Sequence, residues 1–178
     1  MMAASALSAG TGQTTTTAAG QRTTTRVVWF RDHCLRLSDN PSLSAAVEAC
    51  LRSSSDDPDG GGRVLPVFLW QMGTDVAREG HGGTARDVLV ARALGHLDRA
   101  LGGGGTLRLG AVPPPVGGGK GAKVVGGVAD ELARICQRAG ATEVYYPLGA
   151  DLAEEEALRV AMVGRGLRPV PFGGAVGL

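Results

Sequence analysis

Asp32, His33 and Cys34 stand side by side, an acid, an imidazole and a thiol in one run. These are the residue types of a thiol nucleophile with its base and orienter, or of a metal site. Neighbouring side chains on a loop diverge, however, and nucleophile, base and orienter normally come from separate segments. His81 and His96 stand alone, without the paired spacing that zinc sites use. The run reads as a polar loop with a partly buried thiol, and neither catalytic nor metal-ligating residues are expected. Arg31 and Arg36 flank this loop, and a guanidinium there could hold phosphate or carboxylate through two parallel hydrogen bonds. The competing reading pairs Arg36 with Asp39 or another local acid and simply orders the loop. Trp70, Tyr145 and Tyr146 lie at strand ends, where core packing is expected over ring stacking on a ligand. Glu154, Glu155 and Glu156 fall in the first turn of a helix, where negative charge complements the helix dipole.

The glycine runs fail as nucleotide fingerprints. Around Lys120 the spacing of a phosphate loop breaks on both sides, and the loop after the first strand, RDHCLRLSD, holds no G-x-G-x-x-G. They read as filler in a Gly/Pro-rich insertion at 110–127.

These residues need elements to position them. Arg26–Phe30 and Arg63–Trp70 are apolar runs typical of strands covered on both faces. Thr106–Leu109, Glu143–Tyr146 and Arg168–Phe172 read as three more strands, the last an edge because Pro171 lacks a ladder donor. Asn40 can cap a helix opened by Pro41, with Leu43, Ala46, Val47 and Cys50 on one face. Ser53–Gly62 reads as a turn-rich loop. Helices are expected at Ala85–Leu101 (Leu89, Ala93, Leu94, Leu97 and Leu101 on one face), Val128–Ala139 ending at Gly140, and Leu152–Arg165 closed by Gly166. Strands alternating with helices predict an α/β fold: a five-stranded parallel Rossmann-like doubly wound sheet with helices on both faces. Ligands of such sheets sit beyond the carboxyl ends of the strands, near the reversal in strand order. The loops at Arg31–Asp39, Gln71–Thr84, Gly110 onward and Pro147–Asp151 should therefore carry any site.

The bulk numbers bound the partners. A chain of 178 residues, 43% hydrophobic and 20% charged, suits one soluble domain with a tail. A formal net charge of +1 gives no whole-molecule attraction to nucleic acid or anionic membrane, so such binding would need a local patch. Three cysteines without a CxxC pair point to an intracellular, reducing compartment. No apolar run approaches the ~20 residues of a membrane span. Residues 1–25 read as a disordered Thr/Ala-rich tail. The absence of Asp and Glu from the first 31 residues is also what a chloroplast or mitochondrial transit peptide shows, with nucleus or cytoplasm expected otherwise.

The opening stretch VVWFRDHCLRLSDNPSL resembles the N-terminal signature of the photolyase/cryptochrome family, approximately V-x-W-F-R-x-D-L-R-L-x-D-N-P-x-L. Trp29, Phe30, Arg31, Leu35, Arg36, Leu37, Asp39, Asn40, Pro41 and Leu43 match, with one extra residue in the loop. Val64–Trp70 resembles the second-strand pattern. Gly83-x-x-Arg86 leading to Leu101 is similar to a family helix, and Gly140–Tyr145 to its G-A-x-x-V-Y strand entry. The sequence departs at the ligand end: Gln71-Met72 replaces the usual Asp-Pro, Pro147 an Asn, Leu152 a Pro, and Ala157-Leu158 an Arg-Asp.

The resemblance implies that residues 26–178 are the N-terminal α/β domain of a blue-light flavoprotein, which in such proteins precedes a helical FAD domain that is expected to be absent here. It implies an antenna chromophore, a folate or deazaflavin, or docking to a helical FAD domain or partner chain, with FAD itself only in a full-length relative. No catalysis and no direct nucleic-acid binding are expected of this chain alone. Arg31, Arg36, Asp39, Asn40, Trp70 and Arg86 are the residues expected to contact the chromophore or the domain interface. The alternatives are a small adenine-nucleotide-binding α/β protein and a degenerate fragment without a ligand.

Overall fold

The apolar runs become strands β1 (Thr25–Phe30), β2 (Arg63–Gln71), β3 (Arg108–Val112), β4 (Ala141–Pro147) and β5 (Arg168–Phe172). Helices α1 (Pro41–Asp56), α2 (Ala85–Ala100), α3 (Ala122–Ala139) and α4 (Leu152–Val163) separate them, and a 3-10 turn at Asp32–Cys34 follows β1. The computed structural model describes residues 24–56, 62–71, 85–112 and 122–173. The tail up to residue 23, the Gln71–Thr84 loop beyond Gln71 and residues 113–121 lie outside them.

All neighbouring strands are parallel, in the order β3-β2-β1-β4-β5. The chain winds outward from β1 to β3, then returns to the other side of β1 and winds outward again. This reversal sends the two pairs of helices to opposite faces. Val28, Phe30, Phe68 and Tyr145 pack with Ala46 of α1 and with Leu94 and Leu97 of α2. Val27, Trp29, Val67, Val144 and Tyr146 pack with Leu132 and Cys136 of α3 and with Leu158 and Met162 of α4. Alternate residues of β1 enter different cores, which is why the strand is apolar without a break.

The termini of the elements are set locally. The Asn40 side chain accepts from Leu43 N–H at 3.1 Å and donates to the Arg36 carbonyl at 3.1 Å, closing the start of α1. Asp151 caps α4 by accepting from Ala153 and Glu154 N–H. Gly140, at φ +64, ends α3 in the left-handed conformation that the sequence predicts. β5, carrying Pro171, is an edge strand as expected.

Four expectations need correction. The 110–127 insertion is narrower: Gly110–Val112 complete β3, and α3 begins at Ala122, enclosing Gly126 and Gly127. A Cβ on Gly127 would stand 3.1 Å from Val112 Cγ1, and one on Gly110 only 2.6 Å from Leu69 Cδ2 and 2.9 Å from Glu131 Oε1. Glycine is there to let α3 lie close on the sheet. Burial of Val125, Val128, Ala129 and Leu132 outweighs the ~1 kcal/mol that each helical glycine costs. α1 runs on to Asp56, past Ser53, whose hydroxyl bonds the Ala49 carbonyl at 3.0 Å instead of turning the chain. On α2 the expected Leu94, Leu97 and Leu101 do face inward, but Leu89 is 65% exposed, and Val90, about 100° around the axis, takes its place. The tail is also shorter, since Thr25 already pairs with Arg63 in the sheet.

Candidate functional site

The crevice that this topology creates lies where β1 and β4 part at their carboxyl ends. Arg31, the residue after β1, reaches across it. Its guanidinium forms an ion pair with Glu155 of α4, lies 3.4 Å from the Pro147 carbonyl, and sits 5.1 Å over the Trp29 ring. The same carboxylate oxygen of Glu155 accepts from Gly149 N–H at 2.9 Å. Gly149 has no room for a side chain, because a Cβ would stand 2.6 Å from that oxygen.

Glu155 is only 5% exposed, and its second oxygen, Oε2, is buried with no hydrogen-bond partner among the described residues. A buried acceptor left in that state costs about 1–3 kcal/mol. Burial, reinforced by the nearby Glu155 charge and opposed by Arg31, pushes the Tyr146 hydroxyl up to about 12. Tyr146 in turn packs against Trp29, with ring centroids 5.8 Å apart. At this end of the sheet two rings buried in the core thus lie beside a buried carboxylate with one oxygen engaged and the other without a partner among the described residues.

Glu155 does not serve merely as helix-dipole complement, as the Glu154–Glu156 run suggested. Glu156 pairs with Arg159 on the surface at 2.6–2.8 Å, whereas Glu155 faces inward. The signal was present in the spacing: Glu155, Leu158 and Met162 recur at helical intervals, and the last two are core. What could not be read was that Arg31, 124 positions earlier, would meet it.

The other expected site residues are spread along the same rim. Arg86 reaches from the start of α2 to pair with Asp32 of the 3-10 turn. Burial raises the Asp32 carboxyl, but the hydrogen bond and charge of Arg86 outweigh it and hold the group below its ordinary value. His33 touches the other oxygen of Asp32 at 3.5 Å, while Cys34 turns into the interior. Cys34 thus parts from the other two, whereas Asp32 and His33 stay together, against the expected divergence. No group of three or more His, Cys, Asp or Glu able to hold a metal occurs among the described residues. Asp39 holds a left-handed backbone at φ +56 immediately before the cap residue Asn40, which is 2% exposed. Arg36 lends its carbonyl to Asn40, and its exposed guanidinium makes no ion pair among the described residues, with Asp39 or any other acid. Trp70 is half-buried at the end of β2, edge-on to Phe68 at 6.1 Å. Arg31 alone of the six enters the β1/β4 crevice, and its carboxylate partner comes from the chain itself.

The chain matches the family described as DNA photolyase over residues 26–169. A bacterial class III photolyase from Agrobacterium tumefaciens is 27% identical, with a TM-score of 0.56 over 88% of this chain. A Synechocystis cryptochrome is 18% identical, with a TM-score of 0.54 over 88% of this chain, a likeness of fold. The chain spans 27% and 28% of the lengths of those two proteins. No curated protein matches it.

Proposed function

The chain belongs to the DNA photolyase family as its N-terminal α/β domain, and on that premise we propose that it holds an antenna chromophore in the β1/β4 crevice, beside a docked helical flavin domain. The observation that carries the reading is the buried Glu155 Oε2, without a partner among the described residues and set at the reversal of strand order where such sheets take ligands. A folate or deazaflavin ring system offers N–H donors that would satisfy this oxygen. Gly149 keeps the approach free of a side chain. When bound, such a group absorbs near-ultraviolet or blue light and passes the excitation to a flavin.

The test is to mix the purified chain with a reduced folate or a deazaflavin and follow near-ultraviolet and blue absorbance through gel filtration. Co-elution of either chromophore, lost in a folded Glu155→Gln variant, is the expected result. If neither chromophore co-elutes and no family helical domain associates, the reading fails.

A further inference from the structure

At the opposite end of the sheet, a cleft of about 350 Å³ opens between the amino ends of β1–β3 and the last turn of α3. Arg63, Arg108, Arg134 and Arg138 line it, and no acidic residue does among the described residues. Elsewhere many arginines are matched: Arg26 and Arg168 share Glu143, Arg165 has Asp130, Arg159 has Glu156 and Arg52 has Glu48, while Arg36, Arg92 and Arg99, without an acid among the described residues, stand apart from one another. In the cleft only Arg134 has an acid, Glu131 one turn away. Arg63, Arg108 and Arg138 make no ion pair among the described residues. Arg138 also offsets the negative end of α3, but that accounts for one guanidinium of the three.

A chain whose formal net charge is +1 has thus gathered unneutralised cations from β2, β3 and α3 around one concavity. Like charges so placed repel one another, and an anion among them relieves that repulsion. Guanidinium forks match phosphate oxygens, and the volume lies in the roughly 300–1,000 Å³ range of small-molecule clefts. Leu65 and Ile135 give the cleft an apolar wall beside the charges. We propose that this cleft binds a small phosphate-bearing anion, its phosphates on the arginines and its apolar body against that wall. The cleft faces away from the β1/β4 crevice, so the proposal is independent of chromophore binding.

Calorimetric titration of the full 178-residue chain at low ionic strength tests it, with ADP and inorganic tripolyphosphate as probes and a twelve-residue oligothymidylate as competitor. Saturable binding of ADP, alone or together with tripolyphosphate, is expected. The double substitution Arg63→Gln/Arg108→Gln should weaken it roughly tenfold or more, the scale of one charge-assisted hydrogen bond. Both side chains are exposed, so the variant should keep the thermal melt of the parent. Arg52→Gln/Arg92→Gln, on exposed positions of α1 and α2, removes the same charge elsewhere and should leave binding unchanged. The proposal is overturned if ADP does not bind, or if the control pair weakens it as much as the cleft pair. It is also overturned if the oligonucleotide binds through the same arginines at least ~10-fold more tightly than ADP, which would make the cleft a nucleic-acid surface.

Discussion

Replacing Arg31 by alanine should be among the costliest substitutions in this chain, and the reason lies in what it leaves behind. The side chains of Arg31 and Glu155 are 17% and 6% exposed, so the pair is largely withdrawn from water. Without Arg31, the carboxylate keeps one Gly149 N–H as its sole partner among the described residues, with Oε2 already unpartnered there. Breaking a buried pair from one side typically costs about 3–5 kcal/mol. The cation over Trp29 is lost as well. With a urea m-value of ~2 kcal/mol/M for a chain of this size, the midpoint should fall by roughly 1.5–2.5 M.

The companion variant Arg31→Met/Glu155→Leu removes both charges in place of one. Apolar replacement of a whole buried pair is near neutral. Gly149 N–H, on a partly exposed segment, can turn to water. The double variant should therefore recover to within ~2 kcal/mol of the parent. Urea denaturation followed by tryptophan emission reads both, since Trp29 lies under the guanidinium. Arg31→Ala within ~1 kcal/mol of the parent, or a double variant no more stable than the single one, would refute the reasoning.

Alkaline stability and glycine geometry give two further expectations. Burial pushes the Cys136 thiol from 9.0 up to about 11 and the Tyr146 hydroxyl from 10.0 up to about 12. The folded state thus holds protons that the unfolded chain has already lost. Stability should be full below pH 9 and fall as pH rises through 11 and 12, by on the order of 2 kcal/mol per group. Cys136→Ala should remove the earlier step, and an unfolding free energy that stays flat from pH 8 to 11 would contradict this. Gly62→Ala would set a Cβ 2.5–2.8 Å from Cys50 Cβ, Cα and carbonyl oxygen, and should cost about 1–3 kcal/mol. Gly95→Ala, on α2 with open space around it, should gain up to ~1 kcal/mol, and thermal melts of the two variants should move in opposite directions.

Most of the fold was legible because its signals are local. Unbroken apolar runs marked the strands, and Asn40-Pro41 and Gly140 marked helix ends through hydrogen bonds spanning a few residues. Glycine misled where it answers to contact: Gly110 and Gly127 read as filler because composition cannot show that α3 presses on β3. Leu89 misled because helical spacing allows neighbouring stripes, and only the packed sheet selects one.

The alternation of strands and helices was written in local pattern, and with it a doubly wound sheet whose ligand end lies at the loops after its first four strands; the strand order that singles out β1 and β4 came from the fold. The sequence also carried the WFR…LRLSDNP signature that names the family. Which charges meet depends on the packed fold. Arg31 was visible as a cation at the ligand end, but its partner lies 124 positions away on another element. The four arginines of the amino-end cleft come from three elements, with no sequence motif to join them. Helical and strand periodicity act over neighbouring residues, whereas the pairing of charges depends on which surfaces the folded sheet brings within a few ångströms.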